Sequence, residues 1–308
     1  MTLQQLEYIV NLDNERHFVR AAERCFVTQP TLTMGIKKLE EELGTILFDR
    51  KKHPVEPTKS GARVIEKSRQ ILREANQLRQ LVKGEKESLE GTFRVGVIPT
   101  LAPYLMPLFL GEFIQKNPNT NLIIEEIQSH QIIEMLKNDT LDVGLLVTPL
   151  EEQQLREIPL FEEPFLVYSS EKHPLYKKSE IETSDITEDG MWLLNQGHCF
   201  RNQALNICGI ESRSQNVFTY ESGSIETLKR MVDKNFGYTL VPELSVIDEE
   251  DNPRVKRFTK PEPVREVSLV VHNSFSREGL IDKLKKAILE KVPENIQKAE
   301  PHIRVEWR

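Results

Sequence analysis

"TQPTLTMGIKKLEEELG" spans Thr28–Gly44. Within it Leu32, Ile36, Leu39 and Leu43 fall three or four residues apart, the spacing of one helical face. The Thr28 hydroxyl suits a helix cap, and Pro30 is tolerated in a first turn, where its missing N–H would have no partner anyway. Gly44 stands where a left-handed residue would end the helix. Working outward, "FVT" at 26–28 separates this helix from a shorter helical stretch, "FVRAAERC", Phe18–Cys25. Before that, Leu3, Leu6, Ile9 and Val10 predict a short amphipathic helix over 2–12. Helix, short turn, helix is the arrangement that sets a second helix in the major groove of DNA.

Downstream lies "LFDRKKHPVEPT", Leu47–Thr58. Leu47 and Phe48 are expected to be buried, while Arg50, Lys51, Lys52 and His53 form a basic tip ahead of two prolines. That suits a wing, a two-stranded ribbon able to touch phosphates; by itself the stretch would read as a solvated loop. No proline occurs from Ser60 to Leu89. Val64, Ser68, Ile71, Ala75, Leu78, Val82 and Leu89 follow steps of three and four, with Glu85 filling one step poorly. This is the seam of a coiled coil, and a second copy of the chain is expected to cover it. A helix packed on its own domain is the plainer alternative.

The chain has 308 residues, enough for one large or two modest domains. No apolar run approaches the length of a membrane span, and "MTLQQLEYIV" lacks a secretory pattern, so a cytosolic protein without a membrane partner is expected. Residues 1–90 carry 16 Lys and Arg against 14 Asp and Glu; the remainder carries 25 against 34. An acidic total argues against nonspecific nucleic-acid binding, so an expectation of double-stranded DNA rests on the motif alone.

"EGTF", from Glu90, marks a boundary. Beyond it β-rich runs alternate with helical patterns: "FRVGVI", "PTLAPYLMPLFLGEFIQ", "NLIIEEI", "QIIEMLKND", "DVGLLV". Such alternation predicts a parallel α/β architecture. Further strands are expected at "FLVYS", "MWLLN", "VFTY", "YTLVP" and "VSLVV", and helices near 201–207, 224–234 and 278–291.

The chain has three cysteines, and two of them lie nine positions apart in "GHCFRNQALNICG", Gly197–Gly209. So few do not make a disulfide scaffold. Such a pair is catalytic, redox-sensing or metal-binding, or simply two buried thiols. Cys25 reads as a small core residue.

The first sixty residues resemble the DNA-binding domain of LysR-type transcriptional regulators. The resemblance is carried by Phe18, Ala21, Ala22, Gln29, Pro30, Leu39, Glu40, Leu43, Gly44, Leu47, Phe48, Arg50, Thr58 and Gly61, with Thr33 where the family usually has serine. It extends over the whole chain. It implies a winged helix-turn-helix at 1–59, a linker and dimerisation helix at 60–90, and an effector domain of two α/β lobes at 91–308. The lobes, built like a periplasmic binding protein, would be about 91–163 with 268–300, and about 164–267. It also implies dimers, pairs of dimers and contact with RNA polymerase. Gln29, Pro30, Thr31, Thr33 and Lys37 would present the second helix to DNA, with Arg50 and Lys51 on phosphate. Val64, Ile71, Ala75, Leu78 and Val82 would form the dimer seam.

Within the family, "LEYIVNLDNERHFVRAAERC", "GVIPTLAPYLMP", "SHQIIEMLKNDTLD" and above all "NQGHCFRNQALNIC" are similar to the peroxide-sensing members. This implies that hydrogen peroxide oxidises Cys199 and that Cys208 resolves the product into a reversible disulfide. His198 and Arg201 would supply donors or positive charge that lower the Cys199 pKa. Thr100, Ser129 and Arg265 are placed near the peroxide pocket by the same resemblance. Their plainer roles are helix capping for Thr100 and Ser129 and a surface ion pair for Arg265, while Asp142 would shape a strand start. If 201–207 is helical, Cys199 also lies near a positive helix end. Nine residues of helix separate the cysteines by about 13 Å, whereas a disulfide holds Cα atoms at roughly 4.4–6.8 Å. Closing the bond would therefore unwind the segment and shift Phe200, Ala204, Leu205 and Ile207.

Two other readings compete. A LysR-type regulator could bind a small organic effector between the lobes, leaving the cysteines incidental. A thiol peroxidase would share the cysteine chemistry, but it would leave the helix-turn-helix and the seam without purpose. The spacing fits neither a zinc site nor a phosphate loop nor a serine-nucleophile elbow, so no metal, no cofactor and no enzyme activity are expected.

Overall fold

The computed structural model describes all residues except 84–88, 188, 210–221, 235, 250, 298–301 and 308, and no side chain over 79–83. Two compact units divide the chain, Met1–Glu87 and Ser88–Arg308.

In the first unit, α1 (Leu3–Glu15) is capped by Thr2, and α2 (Phe18–Arg24) follows. α3 (Gln29–Leu43) starts where Thr28 accepts from the Thr31 N–H and ends at Gly44, whose φ is 64°. The three helices close on Leu6, Ile9, Leu12, Leu32, Ile36 and Leu39. Leu43 departs from the expected face, being 39% exposed in the last turn. β1 (Phe48–Asp49) and β2 (Glu56–Pro57) pair antiparallel as the wing. α4 (Lys59–Lys83) packs against this base: a Cβ on Gly61 would lie 1.9 Å from the Leu47 carbonyl oxygen, so only glycine allows the approach.

Along α4, Val64 packs on the unit's own core and Ser68 is buried, whereas Ile71 and Leu78 are 41% and 64% exposed. Ala75 is half-buried, and the side chain of Val82 lies outside the described residues. Leu89 does not continue the seam. It sits in the core of the second unit, where its carbonyl accepts from the Thr120 hydroxyl at 2.7 Å.

The second unit begins with β3 (Gly91–Val97), α5 (Ala102–Lys116), β4 (Thr120–Glu126), α6 (Ser129–Lys137) and β5 (Val143–Thr148). β3 pairs parallel with both β4 and β5. The Arg94 N–H donates to Asp142 at 2.7 Å, fixing the approach to β5. β6 (Leu155–Ser169) is long. Its first part pairs with the later β10, and its end pairs with β8 and β9. Next come β7 (Glu180–Ile181), α7 (Cys199–Cys208), α8 (Ile225–Lys234), β8 (Tyr238–Pro242) and β9 (Val255–Phe258). β10 (Glu262–His272), α9 (Glu278–Leu289), α10 (Glu294–Gln297) and β11 (His302–Arg304) complete the chain. The strand order is β4-β3-β5-β10-β6-β9-β7, with β11 on β10 and β8 on β6.

The sheet is mixed, because β10 runs antiparallel to β5 and β6. Two apolar cores result. One gathers residues from β3, β5, α5, α6 and α9; the other gathers Phe165, Tyr238, Leu240, Phe258 and their neighbours. "MWLLN" is not a strand: only Met191 and Leu194 form isolated bridges. "VFTY" lies outside the described residues.

Candidate functional site

Cys199 opens α7, and Cys208 closes it. The chain reaches α7 through Gly197, whose φ is 97° and whose Cβ would meet the Gln128 Oε1 at 2.5 Å. The positive φ would strain any side chain there, so glycine suits the turn into α7. Gly209, at φ 63°, ends the helix. No disulfide joins the two; Cys199 is buried, and the Cys208 Sγ lies 2.9 Å from the Ala204 carbonyl.

Cys199 belongs to the first apolar core, whereas its neighbour Phe200 belongs to the second. Burial pushes the Cys199 thiol up, opposed by a hydrogen bond with Ser129, then by the positive charge of Arg265, then by backbone N–H groups at the helix start. Ser129 is buried, and Gln128 takes the N-cap of α6 instead of it.

Arg265 is fully buried and opposes Glu163 across β10 and β6. Its Nε and Nη2 donate to Glu163 Oε2 at 2.9 and 2.7 Å. Nη1 donates to the Thr100 hydroxyl at 2.8 Å, and Nη2 also to the Thr100 carbonyl at 3.0 Å. The other Glu163 oxygen accepts from the Leu244 N–H at 2.9 Å. Burial pushes the Glu163 carboxyl up, and Arg265 with the Leu244 N–H oppose it. With three donors on it, the carboxylate is the form this geometry serves. The Arg265 guanidinium lies 5.3 Å from the centre of the Phe200 ring, so the first turn of α7 rests on this pair. Leu101, not Thr100, is the N-cap of α5.

His198 and Arg201 flank Cys199 in sequence. His198 is the N-cap of α7 without a side-chain capping bond, and burial lowers its pKa, favouring the neutral ring. Arg201 Nη1 donates to the Leu194 carbonyl at 2.9 Å. Arg265 is a cation whose field reaches Cys199.

On α3, Gln29, Pro30, Thr31 and Lys37 are exposed and Thr33 is half-buried. Arg50 is exposed, but its Nη2 donates to Glu40 Oε2 at 2.8 Å and its guanidinium lies 5.8 Å from the Phe18 ring. Glu40 Oε1 also accepts from the Leu47 N–H at 2.8 Å, so Arg50 and Glu40 fix the base of the wing. Lys51 is exposed at the wing tip. Cys25 is half-buried against the helical core, and burial raises its pKa.

Residues 3–62 match the model of the bacterial regulatory helix-turn-helix proteins of the lysR family, and residues 86–293 match the LysR substrate binding domain. The chain belongs to the LysR family. Among LysR relatives, a hydrogen peroxide-inducible genes activator of Haemophilus influenzae is 35% identical over 95% of this chain and 97% of its own. The DNA-binding transcriptional dual regulator OxyR of Escherichia coli is 34% identical, covering 94% and 95%. A full-length OxyR variant from Pseudomonas aeruginosa matches in structure with a TM-score of 0.81 at 35% identity, covering 97% of this chain and all of that one.

One member of this LysR site escaped the sequence reading. Glu163 looks like a surface residue in "FEEPFLVYS", yet Phe161, Glu163 and Phe165 alternate in β6 and are all buried. Period-two alternation would have placed its carboxylate inward. Among the described residues no cluster of His, Cys, Asp and Glu could hold a metal, and no helix is long and apolar enough to cross a membrane.

Proposed function

We propose that the protein is a hydrogen-peroxide-sensing, DNA-binding transcription regulator switched by a reversible Cys199–Cys208 disulfide. The observation that carries this reading is the placement of two cysteines, not joined by a disulfide, at the two ends of one helix, the first of them on Ser129 and in the field of Arg265. Relatives named for peroxide induction and for OxyR support the choice of signal.

The chemistry balances. The Cys199 thiolate attacks one peroxide oxygen, the O–O bond breaks, and the departing hydroxide takes up the thiol's proton as water. The sulfenic acid left on Cys199 is attacked by the Cys208 sulfur, which forms the S–S bond and releases a second water. Two electrons pass from the thiol pair to peroxide. Ser129 and Arg265 favour the thiolate, and Thr100 with Glu163 holds the Arg265 guanidinium in place. α7 must open before the second step.

DNA is the partner of the first unit. Gln29, Thr31, Thr33 and Lys37 face the groove, and Lys51 meets phosphate; Arg50 acts first on the wing through Glu40. Dimers form along Ile71, Ala75, Leu78 and Val82, pairs of dimers occupy the site, and RNA polymerase is the downstream contact. Val64 mainly anchors α4 to its own domain.

The test is a thiol count after sub-stoichiometric peroxide. Two thiols should disappear together, without added ligand, and Cys199→Ser should abolish both this loss and the transcriptional response while leaving DNA binding intact. A normal response from Cys199→Ser would overturn the reading.

A further inference from the structure

Segment 302–307 lies across the redox helix. β11 adds to β10 in parallel, with His302 opposite Glu262 and Arg304 opposite Val264. The Val305 N–H extends this ladder to the Val264 carbonyl at 2.9 Å. Then three consecutive carbonyls receive three side-chain amides from α7. Gln203 Nε2 donates to Val305 at 2.9 Å, Asn206 Nδ2 to Glu306 at 2.7 Å, and Asn202 Nδ2 to Trp307 at 3.1 Å. The Trp307 indole N–H ends the crossing on the Pro149 carbonyl at 2.8 Å. Positions 202, 203 and 206 share a helical face only while the helix is wound. Gln203 is fully buried, and its Oε1 finds no partner among the described residues.

We infer that segment 302–307 is a strap that holds α7 in its helical form and so sets how readily the Cys199–Cys208 disulfide closes. The inference rests on the disulfide reading above. The strapped residues lie between the two cysteines. Drawing the helix ends together from about 13 Å destroys the phase that lets the amides meet consecutive carbonyls. The strap therefore stabilises the dithiol relative to the disulfide, raises the midpoint potential and slows closure. It does not act on the attack of Cys199 on peroxide. By the same coupling, disulfide formation releases the strap from β10.

The test uses the full chain with the strap's two exposed amide donors removed by neutral substitutions, Asn202→Ser and Asn206→Ser. Aspartate would add charge beside Cys199 and at the helix C-terminus. Both asparagines are exposed, serine is uncharged with similar helix propensity, and its short hydroxyl does not reach the strap carbonyls. Equilibration in dithiol buffers, read by mass, should show the disulfide favoured about tenfold over the parent, a midpoint lower by about 30 mV. Closure after sulfenic acid formation should be faster. The rate of sulfenic acid formation, measured with Cys208→Ser added to each protein, should be unchanged. Equal midpoints and equal closure rates, with a disulfide formed in both proteins, would refute the strap alone. A parent that forms no disulfide would instead overturn the functional reading, and the strap with it. Hydrogen exchange on the unmodified protein gives a second check: the Val305 amide should lose protection on oxidation, and retained protection counts against the strap.

Discussion

Arg265 brings a positive charge to a place with no exposure, and its carboxylate partner sits directly across the strand pair. That neutralisation limits how far the charge can help Cys199. Glu163→Gln keeps the shape and removes the negative charge. Leaving one partner of a buried pair uncompensated costs roughly 3–5 kcal/mol, so thermal unfolding should move down by several degrees. The same change should lower the Cys199 pKa, because the field of Arg265 is then unopposed. Alkylation rate against pH reads this directly, and an unmoved profile would refute the coupling. Ser129→Ala works in the other direction. It removes the largest influence that opposes burial, so the thiol rises further. The thiolate is the form present above the pKa. Peroxide reactivity should therefore fall at neutral pH and be recovered only at higher pH. A stopped-flow pH profile identical to the parent would exclude Ser129 from thiolate activation. At this scale the sequence was readable where a residue sits in a motif. Apart from the family resemblance, it did not announce Arg265, far away in sequence, whose positive charge favours the Cys199 thiolate.

At the scale of elements, the proposed switch makes α7 both the redox module and the part that changes shape. Peroxide should raise hydrogen exchange across 199–208 once the disulfide has formed. Unchanged exchange with the bond confirmed by mass would mean that the thiols close without unwinding. Cys208→Ser should let sulfenic acid accumulate at Cys199, since the resolving sulfur is gone. Helices were legible because their apolar spacing and caps agree, as at Thr28 and Gly44. "MWLLN" was not, since an apolar run does not say where its backbone groups pair. Here the Trp192 N–H goes to the Tyr238 carbonyl and the Asn195 N–H to Ser222, so no continuous ladder forms. β9 ("VKRF") has too little apolar character to announce itself, and the first part of β6 mixes Arg156, Glu157 and Pro159 into a paired strand.

For the whole molecule, α4 leaves Ile71 and Leu78 exposed on a single chain. A second copy is the occupant proposed for that stripe, and Leu78→Glu should place a charge in the seam. Sedimentation should show lower mass and DNA affinity should fall, while circular dichroism stays unchanged; wild-type mass and affinity would remove the seam. The two-unit plan was legible from the change in pattern near Glu90. The mixed sheet was not, because alternation of strands and helices does not reveal that β10 returns antiparallel between β5 and β6.

Cys199 shows only 5% of its surface. A thiol enclosed to that degree sorts oxidants by size before chemistry begins. A two-oxygen molecule should then reach it faster than a bulky organic hydroperoxide, and equal oxidation rates for the two would remove this filter. The same walls that raise its pKa would on this expectation act as a sieve, giving up some speed toward every oxidant for silence toward large electrophiles.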